Sequence, residues 1–166
     1  MKNKAIWVIN GTGGCGKDTF IEFVSKYTKV ENISSIDKVK EVARVIGWNG
    51  EKDEKSRKFL SDLKELTTEY NDMSFNDIAA KIEDFKASNN KIAFIHIREV
   101  ENIARAVNEF GAKALLIKRE GYENIISNRS DAEVDNYDYD KTINNTTLEE
   151  FESFAKLFTE ENIEGV

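Results

Sequence analysis

The hydrophobic positions sort the chain into two alternating kinds of segment. Apolar runs without polar interruption occupy 4–10, where Ala5, Ile6, Trp7, Val8 and Ile9 follow one another, and again 91–97 and 114–117. A half-exposed strand would alternate, so each run predicts a strand covered on both faces. Ile33 to Ile36 predict a weaker second strand, and 139–144 a closing edge strand. Between these runs the spacing is helical. Phe20, Phe23, Val24 and Tyr27 share one face after Lys17, and Val39, Val42, Ala43 and Ile46 share another, with Asp37 as its cap. Phe59, Leu63, Leu66 and Tyr70 mark a third helix. Phe75, Ile78, Ala79, Ile82 and Phe85 mark a fourth, with Ser74 or Asp72 as its cap. Val100, Ile103, Ala104 and Val107 predict a helix that stops at Gly111. Thr147 and Glu150 form a capping box for a last helix with Leu148, Phe151, Phe154 and Phe158 inward. Residues 119–138 are polar and charged, with one helical turn suggested at Tyr122, Ile125 and Ile126.

Strands that alternate with helices imply an α/β fold, with a parallel sheet and helices on both of its faces. The helical stretch at 51–88 is inserted between the second and third strands. It reads either as a flap that binds an acceptor molecule or as a plain cover for the sheet. No repeat or Gly/Ser-rich linker divides the 166 residues, so a single domain over 1–166 is expected.

Composition narrows the function. Hydrophobic residues make up 40% and charged residues 33%, a globular balance. The net charge of −7 argues against a general affinity for nucleic acid, which needs a clustered basic surface. One cysteine allows no internal disulfide. No apolar run reaches membrane-spanning length and no signal-peptide pattern opens the chain, so the expectation is a soluble, cytoplasmic protein without a membrane partner. Oligomeric state is left open.

Residues 11–19 read Gly11, Thr12, Gly13, Gly14, Cys15, Gly16, Lys17, Asp18, Thr19 and fit the G-x-x-x-x-G-K phosphate loop, between a predicted strand and a predicted helix as the motif requires. Glycines let backbone amides converge on phosphate oxygens, the helix start adds unpaired N–H groups, and Lys17 supplies a mobile charge. The hydroxyl residue expected directly after the lysine is Asp18, with Thr19 one place later. A carboxylate there makes sense if a magnesium ion sits between it and the phosphates. Cys15 occupies a variable place in the loop and, with no second cysteine and the only histidine on another strand, is not expected to act as a nucleophile.

Gly-Lys-Asp-Thr in such a loop resembles the deoxynucleoside monophosphate kinase and phosphomevalonate kinase branch of the P-loop nucleoside monophosphate kinases. Three looser stretches are similar to that group in order along the chain: 35–40, with Asp37 and Lys40; 96–101, with Arg98 and Glu99; and 139–145, followed by Leu148 and Glu149. The resemblance implies a three-layer α/β/α P-loop kinase fold with a helical acceptor-binding insert at about 51–88 and a lid at about 119–138. It implies ATP and Mg²⁺ as cofactors, with ATP on residues 11–19 and Asn145 near the adenine. It implies Asp18 and Asp37 at the metal, and Lys17, Asp37, Arg98, Arg119 and Arg129 as the catalytic set. Arg98 would grip the acceptor phosphate, helped by a second arginine, Arg44 or Arg57. His96 stands where the family carries a metal-binding aspartate, and reads as a hydrogen-bonded core residue.

Three functions follow as expectations. The first is phosphoryl transfer from ATP to a small-molecule acceptor that is a nucleoside or deoxynucleoside monophosphate. The second is a kinase of a non-nucleotide phosphorylated metabolite, with Asp37 as base where the acceptor is an alcohol. The third is a nucleotide-binding protein without turnover. No Asn-Lys-x-Asp stretch is present to read guanine, which disfavours a GTPase.

Overall fold

The computed structural model describes residues 4–121 and 133–163. Five strands, β1 (Ala5–Asn10), β2 (Val30–Ser34), β3 (Ile92–His96), β4 (Lys113–Arg119) and β5 (Lys141–Asn145), form one sheet in the order β2-β3-β1-β4-β5. Every pairing is parallel, with Ile9 opposite His96 on one side of β1 and Asn10 opposite Leu116 on the other. Among the described residues six α-helices surround the sheet: α1 (Lys17–Ser25), α2 (Asp37–Val45), α3 (Glu54–Asn71), α4 (Met73–Ala87), α5 (Val100–Phe110) and α6 (Leu148–Ile163). The architecture is three-layer α/β/α.

The uninterrupted apolar runs are explained by two cores. Trp7 and Ile9 of β1 join Phe20, Phe94, Phe151 and Phe158 under α1 and α6, while Ile6 and Val8 join Ile78, Ile82, Ile95 and Ile103 under α4 and α5. Successive side chains of one strand feed opposite faces, so both must be apolar. Phe20 makes edge contacts with Phe94 and Phe158, at ring-centroid distances of 6.2 and 5.4 Å. Truncating a fully buried aromatic such as Phe158 costs about 3–5 kcal/mol by general experience.

Several expected details differ. The second strand starts earlier, at Val30, and its exposed Asn32 breaks the apolar pattern. Asp37 does not cap α2: it is the first helical residue, and its carboxylate accepts the Ser34 N–H at 2.9 Å. Of the two expected caps of α4, Asp72 and not Ser74 occupies the N-cap position, though its side chain makes no capping hydrogen bond. Asp72 is the left-handed link between α3 and α4, at φ 55°, and pairs with Arg105. Tyr27, Ile46, Leu148 and Phe154 are exposed rather than inward. In α5 the buried partner of Ile103 is Ala106, not Ala104.

The largest departure is α3, which has no fully buried residue. Phe59, Leu66 and Tyr70 of its expected inner face are exposed. The helix instead turns Ser56, Leu60, Leu63, Lys64 and Thr67 partly inward, a stripe at helical spacing that mixes polar with apolar groups. The suggested turn at Tyr122, Ile125 and Ile126 lies outside the described residues.

Candidate functional site

The chain leaves the central strand β1 in one direction to β2 and β3, and in the other to β4 and β5. Ligands of open parallel sheets bind in the crevice outside the carboxyl ends at such a reversal. The glycine loop occupies this place. Asn10, fully buried at the end of β1, accepts the Gly11 N–H through Oδ1 at 2.9 Å. Its Nδ2 donates to the Tyr139 hydroxyl at 3.0 Å, which in turn donates to the Val134 carbonyl at 2.7 Å. Burial pushes the Tyr139 phenol up to about 12, so it stays a neutral donor.

Gly11 (φ 152°), Gly14 (φ 77°) and Gly16 (φ 105°) give the loop its path. The Gly16 conformation opens α1 without a side-chain cap, leaving first-turn amides to face the crevice. Asn145 Nδ2 donates to the Cys15 carbonyl at 3.0 Å and braces the loop from the end of β5. Expected beside an adenine, that amide is engaged with the loop itself.

Lys17 lies over the loop. Its ammonium donates to the Gly11 carbonyl at 2.7 Å and the Thr12 carbonyl at 3.3 Å. Cys15 is fully buried beneath it. Burial raises the thiol above its ordinary value, against the lowering effect of Lys17, so Cys15 stays protonated and is a poor nucleophile.

Four charged groups surround His96 at the end of β3. Burial lowers its imidazole below the ordinary 6.5. Asp18 and Asp37 act to raise it, and Lys17 and Arg98 to lower it further. The two carboxylates and two cations thus act on one spot at the carboxyl edge. His96 Nε2 meets Asn32 Oδ1 at 2.8 Å, across from β2. Below the ordinary pKa the unfolded chain takes up a proton that the native imidazole resists. Stability from this source is therefore complete above about pH 6.5 and is lost as the pH falls through and below it. His96→Gln should have a shallower fall of unfolding midpoint between about pH 7.5 and about pH 5 than the parent. Superimposable midpoint curves would show that His96 titrates alike in both states.

The other expected residues are spread along this edge. Arg98 is half-buried just past β3, and its carbonyl meets Asn10 Nδ2 at 3.5 Å. Arg119 ends β4, in register with Asn145. Asp37 Oδ2 also takes Lys81 at 3.2 Å, so it is already engaged by a cation from α4. Arg44 stacks over Trp48 at 4.7 Å and Arg57 is exposed near the start of α3. Arg129 lies outside the described residues. Asn10, Tyr139, Lys64 and Lys81 were not singled out by sequence reasoning. Only Asn10 carried a local signal, as a polar residue ending an apolar run and preceding the glycines.

No protein-family model and no curated protein matches the sequence. The three-layer α/β/α fold matches solved kinase folds. The structure is similar over 99% of its length to 99% of a dephospho-CoA kinase from Campylobacter jejuni, at TM-score 0.57 and 18% identity. It is similar over 96% of its length to 98% of the protein TT1252 from Thermus thermophilus, at TM-score 0.53 and 17% identity. At these identities the likeness is one of fold. No helix among the described residues is long and apolar enough to cross a membrane.

Proposed function

We propose that this protein is an ATP-dependent phosphotransferase of the nucleoside monophosphate kinase group, acting on a nucleoside or deoxynucleoside monophosphate. One observation carries the reading. A glycine loop with three positive-φ glycines ends the central strand, opens a helix, and holds Lys17 across its own carbonyls, where phosphate oxygens would attract it. Residues 11–19 would cradle the ATP phosphates. Arg98 would hold the acceptor, Arg119 and Arg129 would approach the transferred group, and 51–88 and 119–138 would serve as flap and lid of one domain. Because a phosphate acceptor needs no strong base, catalysis would consist of positioning and charge neutralisation.

The carboxylate pair suits magnesium, which is held by one or two protein carboxylates together with substrate phosphates. Asp18, exposed in the first turn of α1, and Asp37 both act on His96 and so face the same edge. No group of three His, Cys, Asp or Glu side chains that could hold a metal occurs among the described residues. When bound, the ion would neutralise charge on the phosphates. Asp18→Ala should shift the magnesium dependence of activity to higher concentration while leaving magnesium-free nucleotide affinity unchanged. Identical magnesium titrations would make Asp18 only a favourable charge at the helix start.

The likeness to a dephospho-CoA kinase favours a second reading, in which the acceptor is a phosphorylated metabolite that is not a nucleoside monophosphate. An ADP-release assay over ribo- and deoxyribonucleoside monophosphates, with dephospho-CoA as a further acceptor, separates the two. Turnover with none of them, beside tight ATP binding, would point to a binding protein without turnover.

A further inference from the structure

We infer that Lys64 of α3 is the flap's acceptor-binding cation, and that Glu99 holds it in place until the acceptor's anionic group takes over. The inference rests on the phosphotransferase reading above and names a residue of the acceptor site.

Lys64 belongs to the stripe of α3 that turns partly inward, and it reaches the carboxyl edge of the sheet. Its ammonium lies 2.9 Å from Glu99 Oε1 and 3.2 Å from the Ser35 hydroxyl. Ser35 directly follows β2 and donates its N–H to the His96 carbonyl at 3.1 Å. Glu99 comes three residues after His96 and one after Arg98. Lys64 therefore stands beside the residues that end β2 and β3, on the edge shared with the glycine loop. The two arginines expected in this role are placed differently, since Arg44, on α2, lies over Trp48 and Arg57 is exposed.

The pair also lines a groove. Lys64, Glu99 and Asn102 are among the walls of an open cleft of about 800 Å³ between α3 and the start of α5. Both side chains are about three-quarters covered, at 21% and 27% exposure, unlike the outer pair Lys58–Asp62 on the same helix, at 76% and 60%. Burial pushes the Glu99 carboxyl up, yet the Lys64 charge and hydrogen bond, together with hydrogen bonds from its own backbone and from Asn102, hold the group below its ordinary value. Glu99 is thus an anion at the cleft wall, bonded to a cation that α3 brings to this edge. A phosphate offers that cation more charge and more acceptor oxygens than a carboxylate does. Glu65, Glu69 and Glu101 line the same cleft but are exposed, where water and salt screen them, and Glu133 is half-buried. This acidic lining disfavours an anion that stops short of Lys64. Because α3 has no buried residue, the Lys64 contact can be exchanged without opening a core.

The test uses inorganic phosphate as the probe. The full chain and its variants are saturated with a non-hydrolysable ATP analogue and magnesium, so that the glycine loop is filled, and phosphate is titrated by phosphorus NMR. Glu99→Gln should bind phosphate about tenfold more tightly than the parent, because the competing carboxylate is gone. Lys64→Gln should lose that binding, and Lys64→Arg should restore it. A purely structural ion pair would lower the unfolding midpoint in both single variants and leave phosphate affinity where it was. Equal phosphate affinity in the parent and Glu99→Gln, including no binding in either, overturns the inference, as does undiminished affinity in Lys64→Gln. The kinase reading fails separately, through absence of turnover with every acceptor, since the titration requires no phosphoryl transfer.

Discussion

Lys17→Ala will lower turnover on the order of 10²–10³-fold or more, the range seen when one preorganised donor to a developing charge is removed. Lys17 is the side chain whose ammonium already rests on the carbonyls of Gly11 and Thr12, at 2.7 and 3.3 Å. Phosphates entering the loop would replace those carbonyls as partners, because a charged donor favours an anionic acceptor. Alanine removes the charge but no core contact, since Lys17 is only half-buried at the loop surface. ATP affinity and turnover should fall together while the unfolding midpoint of the apo protein changes little. Unchanged ATP affinity and rate would mean that the loop does not serve phosphate.

Gly11→Ala will damage both the loop and the fold. At φ 152° the backbone is in a region that L side chains rarely adopt, and an added Cβ would lie 2.5 Å from the Ile117 carbonyl oxygen and 2.5 Å from Cys15 Sγ. The Cys15 side chain is fully buried, and Ile117 is backbone of the adjacent strand β4, so neither neighbour moves aside cheaply. Backbone strain of this kind costs about 1–3 kcal/mol before any clash is counted. A loss of about 2 kcal/mol lowers the unfolding midpoint of a chain this size by about 4–8 °C. Nucleotide binding should fall as well, because the loop path begins at Gly11. Gly13→Ala is the control. An added Cβ there meets nothing within 4 Å, so the midpoint should hold. Equal midpoints for Gly11→Ala and the parent would show that the loop relaxes around the methyl group.

What the linear chain determined by itself was the frame and the glycine loop. Apolar runs such as Ile6 to Ile9 permit only a strand covered on both faces, and the order of runs and helical stretches leaves a parallel α/β sheet as the consistent packing. The glycine spacing and Lys17 are contiguous, so their geometry is local and can be read directly. Other features depended on contacts between distant parts of the chain. Helical periodicity showed that α3 is amphipathic but could not show what each side faces. The structure leaves Leu66 and Tyr70 in solvent and turns Lys64 toward the sheet edge, because Ser35 and Glu99 are brought there from other elements. Asn145 braces Cys15 from 130 positions away, and Tyr139 holds Asn10 from 129. These hydrogen bonds have no local signature, since each amide finds its partner only after parallel pairing has set β5 and the residues before it in place against the rest of the sheet. Tertiary structure also decided the setting of His96. Its sequence position shows only a lone imidazole at the end of an apolar run, but the two carboxylates and two cations acting on it come from three separate segments, around 17–18, 37 and 98, and only the folded sheet edge gathers them.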